Sequence, residues 1–311
     1  MKKHLDTKIT TRDLVSVIIP TYNHSEFVKK ALQSVIDQTY TNWEAIVIDN
    51  HSDDNTDSVI NSFADPRIKL LKIHNNGVIA ASRNVGIQHA GGVWVAFLDS
   101  DDWWYPKKLD RCIQELERGY DLICHGEVWL NIRDDVRNAR NIFYGPESRA
   151  IFQSLLFNGN CISTSAVVVR RHHLEMVSGF DESPNMVTAE DYHLWLKLSR
   201  AGAHIGFLNE LLGEYLIHDG NSSKTILHNM NALRTVFEKI YSEIKIKPVR
   251  IRILAHRRRA IIDYSGARGF QSNGEYKNAW KLLFSAIVKW PIIPKFYAAL
   301  LLNIIRKNPL S

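Results

Sequence analysis

Val15-Ser16-Val17-Ile18-Ile19-Pro20-Thr21-Tyr22-Asn23 is a short β-branched run stopped by a proline and followed by polar residues, and it sets how the rest of the chain is read. Beyond it Phe27, Val28, Ala31, Leu32, Val35 and Ile36 recur at helical spacing, so the stretch reads as strand, loop and helix. Further along, an apolar run over Trp43–Ile48 ends in Asp49, and Asn55–Phe63 reads as helix. Ile68–Ile73 reads as a third strand, Val78–His89 as helix, and Trp94–Leu98 as a fourth strand ending in Asp99. Strands alternating with helices at this spacing predict βαβ units and a mostly parallel sheet with right-handed crossovers.

In such a sheet ligands sit beyond the carboxyl ends of the strands, near a reversal of strand order. Three polar loops are expected on that rim: Pro20 to Asn23, Asp49 to Asp54, and Asp99-Ser100-Asp101-Asp102. Past Tyr105-Pro106 the pattern predicts a helix over Lys107–Glu117, a strand over Asp121–Leu130 and a loop over Asn131–Arg149. A strand over Ile162–Val169, a helix over Tyr192–Arg200 and a short strand over Ile205–Leu208 follow. Trp195 goes to packing beside Leu194, Leu196 and Leu198, and residues from about 225 onward are helical by pattern.

With 311 residues, 45% hydrophobic and 23% charged, 16 glycines and nine prolines, the composition excludes disorder, collagen and a disulfide miniprotein. Cys112, Cys124 and Cys161 are odd in number and fit neither a zinc knuckle nor a disulfide framework, which points to a reducing cytosol. The start, MKKHLDTKITTRD, has no apolar stretch behind its lysines and is not read as a secretory signal. Leu282–Ile305 is apolar but broken by Lys289, Pro291, Pro294 and Lys295, so no spanning helix is expected. Charge is uneven: residues 225–311 hold 16 Lys and Arg against four Asp and Glu, whereas the remainder holds 23 against 29. A basic tail on an acidic body predicts an anionic partner, phospholipid headgroups or nucleic acid, unless it is a solvated helical face.

Asp99, Asp101 and Asp102 put three carboxylates in four residues after a buried strand, where their repulsion is relieved by a cation. Hard oxygen donors suit Mg²⁺ or Mn²⁺, held jointly with substrate phosphates. The alternative is an acidic loop capping the helix that starts near Pro106.

The order and spacing of several blocks carry a resemblance: VSVIIPTYN from Val15, ALQSVIDQTY from Ala31, AIVIDNHSDD from Ala45, ASRNVG from Ala81 and FLDSDDWWYP from Phe97. GFDE from Gly179, EDYHLWL from Glu190 and YLIHDGNSS from Tyr215 complete it. Over residues 14 to 223 the chain resembles the family 2 inverting glycosyltransferases with the GT-A fold. The resemblance implies an α/β nucleotide-diphospho-sugar transferase fold with a mostly parallel sheet flanked by helices. It also implies an N-terminal tail (1–13), a catalytic domain (14–224, nucleotide half about 14–106, acceptor half about 107–224) and a basic helical region (225–311).

Carried over residue by residue, the resemblance puts Pro20, Thr21, Tyr22 and Asn23 on the donor side, with Thr21, Tyr22 and Asp49 holding base and ribose. An aspartate can accept from the uracil imide N–H, which favours a UDP-sugar. Arg83 corresponds to a position near base and diphosphate, Asp99 and Ser100 to the donor-side start of the DxD motif, and Asp101 and Asp102 to its metal and ribose ligands. His218 resembles a histidine that approaches metal or diphosphate, and imidazole suits Mn²⁺ better than Mg²⁺. Two departures stand out: Leu216 where arginine is common, and Asn50-His51 where Asp-Gly is frequent. Asp191 of the Glu190-Asp191 pair corresponds to the general base, needed because the acceptor hydroxyl must lose a proton as it attacks; the plain alternative is a helix cap. Glu190 and Trp104 are expected on the acceptor side, one of Trp103 and Trp104 being core, with Asn158–Ser165 as an acceptor-side wall.

The implied reaction is a metal-dependent single displacement that moves one sugar to a hydroxyl of a saccharide or a polyprenyl-diphosphate-linked saccharide in polysaccharide biosynthesis. Processive polymerisation is disfavoured because the Gln-x-x-Arg-Trp signature is absent. His256-Arg257-Arg258-Arg259 with Trp280, Phe284, Trp290 and Tyr297 fits a cytoplasmic enzyme lying peripherally on the inner face of an anionic membrane; the alternative is a packed helical pair. A sugar-phosphate nucleotidyltransferase would carry a Gly-rich basic loop after the first strand, which Pro20–His24 lacks. A nucleic-acid binder would interleave aromatics with the arginine cluster, and no nucleic-acid partner is expected.

Overall fold

The computed structural model describes residues 13–132, 139–218 and 226–305. They group into two compact units, one from the described residues of Met1–Phe152, Cys161–Glu182 and Leu194–His218, the other from those of Gln153–Asn160, Ser183–His193 and Asp219–Ser311. β1 (Val15–Thr21) is followed by α1 (Ser25–Ile36), β2 (Trp43–Asp49), α2 (Thr56–Ser62), β3 (Ile68–Lys72), α3 (Ile79–His89) and β4 (Trp94–Phe97). β5 (Trp103–Trp104), α4 (Lys108–Leu116), β6 (Leu122–Asn131), β7 (Arg140–Ile142), α5 (Glu147–Ala150), α6 (Phe152–Asn158), β8 (Val167–Arg170) and α7 (Arg171–Met176) come next. A 3-10 turn at Pro184–Met186 leads to α8 (Glu190–Arg200), β9 (Ile205–Ile217), α9 (Ile226–Ser242), α10 (Val249–Ser272), α11 (Tyr276–Lys289) and α12 (Pro294–Ile304).

In the first unit one sheet runs β3-β2-β1-β4-β8-β6-β9-β5, with β7 pairing β6 off that path. β3, β2, β1 and β4 are parallel, β8 is antiparallel to its neighbours β4 and β6, β9 runs parallel to β6, and β5 is antiparallel to β9. Every residue of β1, β2 and β4 is buried, which is why they read as near-continuous apolar runs, Ser16 and Glu44 apart, and not as alternating strands. Each buried aliphatic such as Ile18 or Val47 contributes about 1.5–3 kcal/mol. α1 turns Val28, Ala31, Leu32 and Val35 inward at helical spacing. α3 crosses β1 closely through Gly86, where an added Cβ would lie 2.5 Å from Ile18 Cγ2. With β2 on one side of β1 and β4 on the other, strand order reverses at β1 and opens a crevice at the carboxyl ends of β1 and β4.

Besides the short elements β5, α6 and α7, which the sequence pattern does not predict, the structure departs from the sequence expectations as follows. β9 has 13 residues where four were expected, because register shifts at Gly126 let it follow β6 over its whole length. The strand expected from Ile162 begins at Val167, since turn hydrogen bonds from Ala166 N to Ser163 O and from Val167 N to Thr164 O occupy the preceding backbone. Within Asn131–Arg149, expected as loop, Arg140–Ile142 pairs with Glu127–Trp129 and Glu147 starts α5; residues 133–138 lie outside the described ones.

The second unit is built on α9–α12. Ala260, Ala286 and Phe296 form one apolar cluster and Ala267, Leu283 and Ala299 another. Buried Asp263 accepts from Arg234 at 2.7 Å, from Ser285 at 2.7 Å and from Lys289. Arg259 forks onto Glu238 at 2.6 and 2.8 Å. The arginine cluster is therefore partly spent on internal packing. No helix among the described residues is long and apolar enough to cross a membrane.

Candidate active site

The rim of the first unit is organised by hydrogen bonds between its loops. Thr21 pairs in register with Asp49, so the ends of β1 and β2 lie side by side. Asp49 is fully buried; it accepts from Ser52 N at 3.0 and 3.2 Å and from Ser52 Oγ at 2.5 Å, with Lys72 Nζ 3.4 Å away. Lys72 in turn is held above the usual lysine range, first by its hydrogen bond to Asp57 and then by Asp49. Asn23, in the left-handed region at φ 50°, accepts from Asp53 N, and its own N–H donates to Ser52 Oγ. Thr21 Oγ1 is buried with no hydrogen-bond partner, a donor and acceptor left for something else to satisfy. Tyr22 stands half exposed at the mouth of the loop.

The acidic loop after β4 is not a uniform patch; each carboxylate has its own environment. Asp99 accepts from buried Arg83 at 2.7 Å, and its N–H donates to Ser165 Oγ. Ser100 Oγ meets His24 Nδ1 at 2.9 Å. Asp101 Oδ2 and His218 Nε2 are 2.9 Å apart, bridging 117 positions of sequence, and His218 stacks on Phe27 with ring centroids 5.0 Å apart. Asp102 points inward, accepting from Ser165 Oγ at 2.6 Å and from Leu216 N at 3.1 Å. Burial first, and then the charges of Asp101, Glu127 and Asp99, push the Asp102 carboxyl well above the usual range. Asp102 thereby ties the acidic loop to the end of β9, two residues before His218. The segment from Asp219 to Ser223 lies outside the described residues.

Among the described residues no group of three or more His, Cys, Asp and Glu is arranged to hold a metal ion. Two donors, Asp101 Oδ2 and His218 Nε2, do converge, and one or two protein ligands completed by phosphate oxygens are enough for Mg²⁺ or Mn²⁺. Asp101 and His218 therefore fit such an ion. Asp102, expected as a ligand, lies turned inward, accepting from Ser165 Oγ and Leu216 N. Trp104, expected on the acceptor side, is 3% exposed: its indole N–H donates to Ser165 O, and Lys108 Nζ lies 3.4 Å over its ring, leaving no face for a sugar. Trp103 is the more open of the two.

Asp191 and Glu190 belong to the second unit, in the first turn of α8. Asp191 Oδ1 accepts from Tyr192 N at 2.6 Å and Oδ2 from Asn160 Nδ2 at 3.4 Å. Tyr192 OH is anchored on Leu155 O at 2.9 Å, so α6 fixes the start of α8. Glu190 is buried. The expected acceptor-side wall Asn158–Ser165 is divided, Asn158–Asn160 counting with Asp191 and Cys161–Ser165 with the sheet.

Sequence reasoning missed Ser165, whose hydroxyl organises two carboxylate positions of the acidic loop, and the buried polar group beneath it. There Lys108 is brought down to about 7 by burial, and Glu127, accepting from Tyr144, is pushed up to about 7 by burial. Neither lysine nor glutamate spacing signals this; only strand order brings them under the loop.

The sequence profile of glycosyl transferase family 2 matches residues 16–177, just over half of the chain. A teichuronic acid biosynthesis glycosyltransferase of Bacillus subtilis, TuaG, is 31% identical over 68% of this chain and 82% of its own length. An Escherichia coli UDP-Glc:α-D-GlcNAc-diphosphoundecaprenol β-1,3-glucosyltransferase, WfgD, is 35% identical over 60% of this chain and 69% of its own. Among solved structures, S. aureus TarS 1–349 with UDP-GlcNAc superposes with a TM-score of 0.64 at 18% identity, covering 92% of this chain and 83% of that one. The mannosyltransferase PcManGT of Pyrobaculum calidifontis, with GDP-Man and Mn²⁺, gives 0.63 at 19% identity, covering 94% and 80%. At that identity the two structures speak for the shared GT-A fold. The profile match and the two sequence relatives show that the chain belongs to glycosyltransferase family 2.

Proposed function

We propose that this glycosyltransferase moves one sugar from a UDP-sugar to a hydroxyl of a glycan or lipid-linked saccharide, in a metal-dependent single displacement with inversion. The observation that carries the reading is the approach of Asp101 and His218 at the mouth of a rim whose floor is the buried carboxylate of Asp49. Asp49, with the hydroxyl of Thr21 beside it, suits a base that donates an imide N–H and accepts at a carbonyl, as uracil does. The named donors of relatives point the same way: UDP-Glc for WfgD and UDP-GlcNAc bound to TarS. Asp101 and His218 would hold a divalent cation, which when bound neutralises charge on the leaving nucleoside diphosphate. Arg83, oriented by Asp99, supplies a fixed positive charge on the same side. Asp191, its two oxygens oriented by Tyr192 N and Asn160, takes the proton of the acceptor hydroxyl.

The class and donor are tested together by adding UDP-sugars with and without Mn²⁺ and following UDP release and melting temperature. UDP-sugars are expected to raise the melting temperature more with metal than in EDTA, by mass action on the native state. Equal stabilisation in EDTA would remove the metal, and stabilisation by GDP-sugars alone would remove the uridine donor.

A peripheral membrane location is read from the helical unit. Trp280, Phe284 and Val288 line one face of α11, and Tyr297, Leu301 and Ile304 one face of α12; with Ile292 between them they are exposed by 42 to 75%. From Tyr276 to the end of the sequence there is no acidic residue, and Lys277, Lys281 and Lys295 are exposed on the same helices. An apolar stripe bordered by cations suits an anionic bilayer, and it would repel a second copy of itself. The full chain is expected to float with phosphatidylglycerol vesicles; failure to do so would end this reading.

A further inference from the structure

Arg258 is 5% exposed and makes no hydrogen bond or ion pair with any described residue. Its guanidinium lies 5.7 Å from the Tyr192 ring centroid and against Gly159, where an added Cβ would fall 2.9 Å from Nη1 and 3.2 Å from Nη2. A nearly buried guanidinium whose Nε–H has no acceptor is costly to keep, so it is expected to meet an anion. Two carboxylates of the same helices are engaged elsewhere: Glu238 by Arg259, and Asp263 by Arg234 and Lys289. The next residue on α10, Arg257, donates to Asn158 Oδ1 at 3.0 Å, and Asn160 on the same short loop donates to Asp191. Three consecutive residues, Asn158 at the end of α6 followed by Gly159 and Asn160, therefore connect two arginines with the proposed base. Gly159, at φ 99°, lacks the Cβ that would crowd the guanidinium.

We propose that Arg258, opened by Gly159, binds a phosphoryl group of the acceptor beside Asp191. The proposal rests on the glycosyltransferase reading of Asp191 given above. Arginine suits this ligand because its planar fork meets two phosphate oxygens at once.

The test titrates inorganic pyrophosphate into the full chain in EDTA, using calorimetry. Arg258→Met is expected to weaken pyrophosphate binding about 30-fold, the worth of one or two charge-assisted hydrogen bonds. It should also melt at or above the wild-type temperature, because an uncompensated buried charge has been replaced by an apolar side chain. Unchanged affinity in this variant, or no pyrophosphate binding by the wild type, overturns the proposal, as does tighter binding of glucuronate than of pyrophosphate. Arg258→Gln carries the same comparison if the methionine variant does not fold. UDP-sugar consumption by the wild type is measured in parallel: its absence would strike the proposed UDP-sugar reaction, whereas its presence with unchanged pyrophosphate affinity strikes only the role of Arg258.

Discussion

Asp101→Ala is expected to lower kcat/KM by about 10³-fold and to abolish the metal dependence of UDP-sugar binding. Of the three carboxylates after β4, Asp101 is the one turned to His218, while Asp99 is neutralised by Arg83 and Asp102 is consumed by Ser165 and Leu216. Removing it takes away the oxygen donor of a two-donor site and leaves an imidazole alone. Stabilisation of leaving-group charge by a metal is worth several kcal/mol, and each 1.36 kcal/mol is tenfold in rate. Residual binding of UDP should persist through Asp49 and Thr21, which the substitution does not touch. Asp101→Asn separates charge from shape, since the amide can still meet His218 Nε2. Transfer rates and melting curves at a series of Mn²⁺ concentrations decide the matter; a wild-type Mn²⁺ response in Asp101→Ala would remove this residue from the metal site.

The sheet core was readable in advance because β1, β2 and β4 are buried throughout and so carry near-continuous apolar runs, broken within by Ser16 in β1 and Glu44 in β2. Their carboxyl ends drew Thr21, Asp49 and Asp99–Asp102 onto one rim for the same reason. Short or edge elements were not legible: β5 has two residues and β7 three, and neither is long enough to show a period. Beyond Leu208, β9 carries Asn209, Glu210, Gly213 and Glu214, which read as a break although the bulged pairing with β6 carries the strand through them. The division of labour within the acidic loop was also hidden. Motif spacing treats Asp101 and Asp102 alike, but Ser165, 63 positions away, and Leu216, 114 away, turn Asp102 inward. In the tail, charge counting saw a basic surface in Arg257–Arg259. The folded helices use Arg259 on Glu238, Arg257 on Asn158, and bury Arg258, leaving Arg250 and Arg252 on α10 and lysines on α11 and α12 exposed.

Asp191→Asn is expected to cut turnover by about 10² to 10⁴ while leaving UDP-sugar affinity within a factor of two or so, the range set by loss of a general base. The residues proposed to hold the donor lie in the first unit and Asp191 in the second, so affinity for donor and rate of transfer should separate cleanly. The competing explanation is that Asp191 only stabilises the start of α8. Asparagine discriminates between the two, because it is isosteric, can still accept from Tyr192 N, and serves as well as aspartate near a helix N-terminus. Losing the negative charge in the first turn costs about 0.3–1 kcal/mol of stability, too little to unfold the chain. A capping role therefore predicts a small fall in melting temperature with near-normal turnover, and a base role predicts the reverse weighting. Single-turnover transfer at saturating donor, followed across pH, is the measurement: the variant should lose the acidic limb of the rate profile along with the rate. Wild-type transfer by Asp191→Asn would take the proton-accepting role away from this residue and return it to helix capping.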